Sequence, residues 1–229
     1  MLPDRSEVVI CGAGIAGLAT AYHLTVHCGV SDVILVDSRP PMSLTSDKST
    51  ECYRNWWPGP GDGMVRLMNR SIDLLEALAD ESGNMFNLNR RGYVYATANP
   101  DRINDFIEQA QEAAELGAGP MRIHRGEASD PPYTPAPAEG YHDLPDGADV
   151  FLDRSLIQQH FPYLPSETVG VVHARRCGYF SAQQLGAYLL EKVRAHGGKL
   201  IEGLAKVVHV NGPDHPVPGM GIEFVNLDD

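Results

Sequence analysis

The sequence predicts an α/β fold that begins with a Rossmann-like unit and carries an inserted α+β portion. Residues 7–11 form a short apolar run near the N-terminus, and the stretch Gly12-Ala13-Gly14-Ile15-Ala16-Gly17 follows directly. An Ala/Leu-rich helical pattern comes next, and a second apolar run over 32–36 ends in Asp37. Strand, glycine turn, helix, strand and acid in this order indicate a βαβ unit that binds a dinucleotide.

Each part of this unit has a physical role. Gly12 allows the tight turn after the strand, Gly14 lets the backbone approach a pyrophosphate, and Gly17 lets the helix pack closely on the strand. The helix N-terminus offers backbone N–H groups and a partial positive charge to phosphates. Asp37 stands about 20 residues beyond Gly17, where a carboxylate accepts hydrogen bonds from ribose hydroxyls. A glycine turn without a ligand is the alternative, and the agreement of all parts argues against it.

Composition and charge exclude several classes of protein. The chain has 229 residues, of which 43% are hydrophobic and 21% charged, as in ordinary globular proteins. Its net charge of −12 argues against nucleic acid or an anionic membrane as a partner. No apolar run approaches the ~20 residues of a transmembrane helix, and no room precedes the first strand for a signal peptide. The four cysteines form no CxxC pair, so we expect reduced thiols, no metal site and a cytoplasmic location.

The segment 38–63 has little periodicity but is rich in hydroxyl and aromatic side chains. It contains both tryptophans, Trp56 and Trp57, as well as Arg54. Long loops in compact domains are often functional, so we expect this one to lie along a ligand. The alternative is that the tryptophans only fill a core gap.

The rest of the chain alternates helical and strand patterns. Apolar spacing, Gly83 and the Asn99-Pro100-Asp101 start signal set most of the boundaries. The segment 127–149 is rich in Pro, Gly, Ala and Asp and is expected to be a solvated surface loop. The predicted helices cover 64–81, 99 to about 116, 155–161 and 182–196, the last capped by Ser181 and ended by glycines, and the predicted strands lie within 87–98, 121–124, 169–174, 200–201, 207–210 and 221–225.

In three places the sequence resembles the D-amino-acid-oxidase-like family of FAD-dependent oxidoreductases, the group of glycine oxidase, sarcosine oxidase and dimethylglycine dehydrogenase. The first is the unit from Gly12 to Asp37, in which Leu18 and Ala21 follow Gly17. The second is the stretch 45–49 with Arg54, which is similar to a family loop that runs past the ribityl chain and the flavin. The third is 178–181 with its helix and the strand at Val207.

The resemblance implies a set of FAD-binding residues. Ile15, Ala16 and Gly17 would hold the pyrophosphate and Asp37 the adenosine ribose. The residues implied for the adenine end are Ser38, Arg39 and the backbone at Val207. The residues implied for the loop beside the flavin are Thr45, Ser46, Lys48, Ser49 and Thr50. The fold it implies is a Rossmann-like FAD-binding domain, formed by residues 1–84 and 177–229, with a partial α+β substrate domain at 85–176.

Two departures from the family pattern qualify these expectations. Lys48 stands where the dimethylglycine dehydrogenase branch carries a histidine that bonds the flavin covalently, so we expect non-covalent FAD. Family members also extend well beyond 229 residues, so the sequence resembles the N-terminal half of such an enzyme, whether truncated, split, or one subunit of a pair. In the last two cases a second chain would supply the other half.

The activity implied by the resemblance is oxidation of a small-molecule amine, a secondary or N-methylated amino acid, by hydride transfer to the flavin. Arg54 would contact the flavin or a substrate carboxylate, or else form a structural ion pair. No catalytic residue is assigned. Two alternatives stay open: a non-catalytic or partner-dependent flavin-binding subunit, and an NAD(P)-binding dehydrogenase domain, against which the hydroxyl-rich loop argues.

Overall fold

The computed structural model describes residues 6–211 and 219–225, with side chains described up to residue 205. The helices are α1 (Ile15–Tyr22), α2 (Thr45–Lys48), α3 (Gly63–Ser82), α4 (Ile103–Ala113), α5 (Arg154–His160) and α6 (Ala182–Ala195). The strands are β1 (Val8–Cys11), β2 (Val33–Asp37), β3 (Cys52–Arg54), β4 (Tyr93–Thr97), β5 (Met121–His124), β6 (Ala148–Phe151), β7 (Gly170–Ala174), β8 (Cys177–Tyr179), β9 (Lys199–Glu202), β10 (Leu204–Asn211) and β11 (Gly219–Val225).

The chain divides into two compact units. Unit 1 comprises Met1–Ser49 and Ala182–Asp229, and unit 2 comprises Thr50–Ser181. The boundaries expected from the sequence, at residues 84 and 177, differ from these limits, so α3 and β8 belong to unit 2. That residues 50–84 serve the cofactor with unit 1 stays a prediction.

Unit 1 is built on a parallel sheet in the order β1-β2-β9. Val8 pairs with Val33, and Ile34 pairs with Lys199. All four apolar residues of β2 are buried, as expected for the central strand of a parallel sheet. α1 contacts β1, β2 and α6, and the apolar face of α6, which includes Leu185, Leu189 and Val193, is buried. β10 and β11 form a separate antiparallel pair.

Unit 2 contains a four-stranded mixed sheet in the order β4-β7-β6-β5, and a two-stranded antiparallel sheet of β3 and β8. β5 and β6 are parallel, whereas β7 is antiparallel to both of its neighbours. Its main core includes Trp56, Val65, Val150 and Val172, with the α4 residues Ala110 and Ala113 packed into it. A smaller cluster under α5 is formed by Phe151, Ile157, Phe161 and Val171.

Helix α3 begins and ends within one residue of the prediction. Gly83 follows it with φ of 66°, in the left-handed region that glycine tolerates, and its N–H reaches the carbonyl of Asp80. Val65, Ile72 and Ala79 are fully buried, so the apolar spacing in the sequence does mark the packed face.

The segment 38–63, read as a loop without elements, contains the short helix α2 and the strand β3. β3 pairs with β8, about 125 residues away in the sequence, as Tyr53 does with Gly178. Because its pairing partner is so distant, no local pattern indicates the strand. The stretch 87–98, expected to form one or two strands, forms only β4.

Candidate functional site

The glycine turn after β1 depends on two of its glycines. Gly12 has φ of +105°, a conformation that residues with a Cβ rarely adopt, and its N–H donates to the Val36 carbonyl at 2.7 Å. A Cβ on Gly17 would lie 1.9 Å from the Gly12 carbonyl oxygen, a backbone atom. The close approach of α1 to the turn therefore requires glycine at position 17.

The N-terminus of α1 faces the turn with its backbone N–H groups. The first intrahelical bond is donated by Leu18 to the Gly14 carbonyl at 3.0 Å, so the N–H groups of Ala16 and Gly17 have no partner within the helix. Ile15 N–H donates to the Ser46 hydroxyl at 3.3 Å. A Cβ on Gly14 would meet Ser46 Oγ at 3.7 Å, so Ser46 lies directly over the turn. Such a cradle of N–H groups, with no acid in the first helical turn, suits a pyrophosphate.

Asp37 lies at the end of β2 and holds the turn in place. Its Oδ2 accepts the Ala13 N–H at 2.8 Å, and its Oδ1 accepts the Arg39 N–H at 3.0 Å. Each carboxylate oxygen keeps a second lone pair, which a ribose hydroxyl can use. The carboxylate thus has a structural function, in addition to the ligand function that the sequence pattern predicts.

The first part of the hydroxyl-rich segment folds back toward the glycine turn. Met42 N–H donates to the Ala13 carbonyl at 3.0 Å. In α2, Ser46 contacts Ile15, whereas the Lys48 ammonium pairs with Asp47 and has a side chain that is 72% exposed. Thr45, Ser46, Lys48 and Ser49 lie in unit 1, and Thr50 is the first residue of unit 2.

For the other predicted cofactor residues, the structure shows mainly where they lie relative to the strands. Ser38 and Arg39 follow β2 directly. Val207 lies in β10, where its backbone pairs with Ile222, and its side chain is outside the described part of the structure. The glycine turn, Asp37 and Ser46 are therefore the predicted residues that the structure brings together.

Two residues that the sequence analysis did not single out organise this site. Gln183 in α6 donates to the Met42 carbonyl and to Asp47. Met42 is only 2% exposed, and a Cβ on Gly186 would lie 2.5 Å from its Cγ. A polar residue in the first turn of α6 gave no signal in the sequence, because its partners are some 140 residues away.

In unit 2, Arg54 lies on aromatic rings. Its guanidinium carbon is 4.2 Å from the ring centroid of Trp57 and 5.6 Å from that of Tyr93, and Trp57 Nε1 donates to the Arg54 carbonyl at 3.2 Å. Arg54 is also hydrogen-bonded to the Tyr93 side chain, and its contacts among the described residues are to these rings rather than to a carboxylate, so the structural ion pair considered for it is not observed. Burial, together with Cys52, raises the pKa of Tyr93 to about 12, so the ring next to Arg54 is a neutral phenol.

The two tryptophans differ in role. Trp56 is 6% exposed and belongs to the main core of unit 2, so it is a packing residue and the expectation that it lies along a ligand is not met. Trp57 is only partly buried and packs against that core, with one face under Arg54.

A buried polar network ties the sheet of unit 2 together. Asp149 is 1% exposed and accepts both Nε and Nη2 of Arg122, at 2.7 and 3.0 Å, together with His124 Nε2 at 3.0 Å. Arg175 Nη1 lies 3.3 Å from Asp149 Oδ2. Burial acts to raise the pKa of Asp149, but these partners hold it below the ordinary value.

His173 extends the same network. Its Nε2 lies 2.9 Å from the Arg91 carbonyl oxygen, so that nitrogen carries the proton, and Nδ1 accepts from the Tyr133 hydroxyl and from Arg175 Nη1, each at 3.0 Å. Burial and the charge of Arg175 lower the pKa of His173 to about 4. Arg175 Nη2 donates to the Thr134 carbonyl at 2.8 Å. The Pro-rich segment 127–149, expected to be a solvated loop, is thus anchored to the sheet.

Within residues 6–211 and 219–225, no helix is both long enough and apolar enough to cross a membrane.

Several known proteins are similar to this chain in sequence or in structure. Rat (Rattus norvegicus) mitochondrial dimethylglycine dehydrogenase is 30% identical over 107 residues, which are 46% of this chain and 12% of that protein. The structure of glycine oxidase from Bacillus cereus superposes with a TM-score of 0.69 at 16% identity, over 96% of this chain and 54% of that one. L-proline dehydrogenase from P. horikoshii gives a TM-score of 0.69 at 18% identity, over 92% and 47% of the two chains.

These similarities show the fold of the chain and how much of each solved structure it covers. The solved structures have the same α/β fold, and this chain spans about half of their length. The family model described as FAD dependent oxidoreductase matches residues 7–221, a range that includes the glycine turn, the whole of unit 2 and β10 and that ends within β11. The chain therefore belongs to the family of FAD-dependent oxidoreductases that the sequence motifs suggested.

Proposed function

We propose that this chain provides the FAD-binding part of an enzyme that oxidises a secondary or N-methylated amino acid, with FAD bound non-covalently. The observation that carries the proposal is the glycine turn, in which Gly17 lies against the Gly12 carbonyl and leaves the N-terminus of α1 open toward Ser46. A Cβ on Gly17 would clash with that carbonyl oxygen, and a residue other than glycine at position 12 would be strained by the positive φ. The family match favours FAD over NAD(P) as the dinucleotide.

Each group of predicted residues would contact a different part of the cofactor. The N–H groups at Ile15, Ala16 and Gly17 would bind the pyrophosphate, and the free lone pairs of Asp37 would accept the ribose hydroxyls. Ser38, Arg39 and the Val207 backbone would lie at the adenine end, and Thr45, Ser46, Lys48, Ser49 and Thr50 would follow the chain toward the flavin. Lysine at position 48 forms no histidyl bond to the flavin, so FAD would dissociate.

Arg54 would bind the substrate carboxylate. Its guanidinium lies over the Trp57 ring and is hydrogen-bonded to Tyr93, and among the described residues its contacts are to these rings rather than to a carboxylate. The donors of its planar fork that Tyr93 does not use would remain for an incoming carboxylate. The ring faces also partly desolvate the charge, which strengthens such a contact. FAD, when bound, would accept the hydride from the carbon next to the substrate nitrogen.

The class of amine is supported by the names of related proteins. Dimethylglycine carries N-methyl groups and L-proline is a secondary amine, whereas glycine oxidase acts on a primary one. All three substrates are amino acids with a free carboxylate, which is the group that Arg54 would recognise.

FAD titration tests the cofactor part of the proposal. Adding the purified chain to FAD should quench flavin fluorescence to a saturable end point, and denaturation should release intact FAD into the filtrate. A chain that takes up no added FAD contradicts the proposal, and flavin that stays with the denatured polypeptide contradicts non-covalent binding.

Anaerobic reduction tests the substrate part. We expect an N-methyl amino acid or proline to bleach the bound flavin, and the corresponding amine without a carboxylate to bleach it poorly. Arg54→Met should raise the substrate concentration for half-reduction about 10- to 100-fold, because a charged hydrogen-bonded contact is lost, while FAD affinity stays the same. Arg54→Lys, which keeps the charge but not the planar fork, should fall between. Equal reduction by all three proteins would remove Arg54 from substrate binding.

A partner-dependent flavin-binding subunit is the second candidate. The sequence covers about half of the solved structures that it resembles. The other half of the fold would then come from a second polypeptide. FAD uptake without bleaching by any amino acid, followed by bleaching once that polypeptide is added, would identify this case.

A cytoplasmic location completes the proposal. The four cysteines are free thiols, as is usual in a reducing compartment. Cell fractionation with an antibody against the chain would test it, and recovery from an oxidising compartment would contradict it.

A further inference from the structure

Gln183, in the first turn of α6, makes two hydrogen bonds to the segment that follows β2. Its Nε2 donates to the Met42 carbonyl at 3.0 Å and to Asp47 Oδ1 at 2.9 Å. Both hydrogens of one amide group are therefore used, and they join the two ends of the segment 42–47. The bond to Asp47 is charge-assisted, which makes it stronger than a bond between neutral groups.

Met42 carries this contact on to the glycine turn. Its N–H donates to the Ala13 carbonyl at 3.0 Å, and its side chain is buried against Gly186, one turn further along α6. A residue larger than glycine at position 186 would displace Met42. The backbone of Met42 is thus held from one side by the turn and from the other by Gln183.

Helix α2 depends on this support. It has four residues and no side-chain cap, and so short a helix is not stable by itself in water. Asp47 in α2 is held by Gln183, and Ser46, its neighbour, contacts the Ile15 N–H at the start of α1. Because Ser46 and Asp47 are adjacent, the anchor on Asp47 also sets the position of the Ser46 hydroxyl over the turn.

From these contacts we infer that Gln183 is a positioning residue for FAD binding: it holds α2 over the glycine turn without touching the cofactor. The inference rests on the proposed function of unit 1 and adds to it a residue on α6, about 140 positions away in the sequence from the segment that it holds. Gln183 therefore affects the affinity for FAD indirectly, through its contacts with Met42 and Asp47.

Three variants at position 183 test this role. Gln183→Ala removes both donors, Gln183→Glu places an acceptor against the Asp47 carboxylate and the Met42 carbonyl, and Gln183→Lys restores a donor to both. Glu191→Ala, at an exposed position further along α6, is the control. Since Gln183 is itself exposed, all four proteins are expected to fold, which urea unfolding will verify.

The first measurement is hydrogen exchange of the chain without FAD. The amides of 42–48 should exchange faster in the Ala and Glu variants, and at the original rate in the Lys variant and the control. Unchanged exchange in the Ala and Glu variants would overturn the anchoring.

The second measurement is FAD affinity under conditions where every variant is folded. The dissociation constant should rise about five- to tenfold for Ala and more for Glu, with recovery for Lys, because one or two hydrogen bonds are lost. A purely structural residue would lower stability without changing this constant. Faster exchange with unaltered affinity would overturn the positioning role. If the unsubstituted chain binds no FAD, the proposed function falls and this inference falls with it, while the exchange rates still show whether Gln183 anchors α2.

Discussion

At the scale of single residues, Gly17 and Asp37 show how a motif combines ligand binding with folding. Gly17 is required because the Gly12 carbonyl occupies the place where a Cβ would be. Asp37 accepts N–H groups from Ala13 and Arg39 and thereby shapes the turn before any ligand is present. Gly17 would be required even in a chain that no longer bound a cofactor, and Asp37 would still stabilise the turn.

Gly17→Ala should disrupt the turn. The added Cβ would lie 1.9 Å from a backbone oxygen, so α1 must move away from β1, at a cost of about 1–3 kcal/mol in the free energy of unfolding. FAD affinity should fall sharply as the N–H groups of α1 move. Urea unfolding and FAD fluorescence quenching measure the two effects.

Gly63→Ala is the control for this substitution. A Cβ at Gly63, in the first turn of α3, meets nothing within 4 Å, and alanine favours helix. We expect no loss of stability and no change in FAD affinity. A Gly17→Ala protein as stable as the Gly63→Ala protein would contradict the close packing of the turn.

At the scale of elements, local patterns predict those helices and strands that carry a clear apolar periodicity or an end signal. The α3 boundaries, the β2 strand and the α6 face follow from apolar spacing and from glycine or asparagine signals, and each is confirmed. β3 and α2 were missed, because they exist through distant contacts: β3 pairs with β8, and α2 is held by α6. Arg54 and Trp56 also needed the structure, since ion pairing and core burial are not local properties.

Helix α5 offers a test of a local signal. Asp153 caps it, with Oδ1 accepting the Leu156 N–H at 2.9 Å, and the helix places Ile157 in the smaller core of unit 2. Asp153→Ala should lower the free energy of unfolding by about 1 kcal/mol, because one N–H of the first turn loses its acceptor. Asp153→Ser, which keeps an acceptor, should lose only a fraction of that in urea unfolding. Equal losses would show that Asp153 acts through another contact.

At the scale of the whole molecule, acid should destabilise unit 2 through its buried network. The pKa of His173 is about 4 in the folded chain, below the ordinary value of 6.5, so the unfolded chain binds a proton more readily. Stability is therefore unaffected by this residue above pH 6.5 and decreases between pH 6.5 and 4, by up to about 3 kcal/mol. Asp149, with its lowered pKa, adds a further loss as the pH falls below the ordinary pKa of an aspartate, because the unfolded chain then binds a proton that the folded chain does not.

Urea unfolding at a series of pH values measures this effect. His173→Gln should be less stable at pH 7 but should lose less stability between pH 6.5 and 4, because the titrating ring is gone. His196→Gln, at an exposed position after α6, should keep the slope of the unsubstituted chain. If the His173→Gln slope equals that of the control, His173 is not the group responsible.

The sequence by itself determined the βαβ unit, its glycine turn, its terminal acid and the family, because these depend on local spacing and on residues that no other type can replace. Only the tertiary structure decided that Ser46 lies over that turn, that Gln183 and Met42 hold it there, and that Arg54 lies on aromatic rings without an ion pair. Those contacts join residues up to about 140 positions apart, and their side chains are of ordinary types. Spacing along the chain carries information about neighbours in the same element, whereas distant neighbours become known only when the chain is folded.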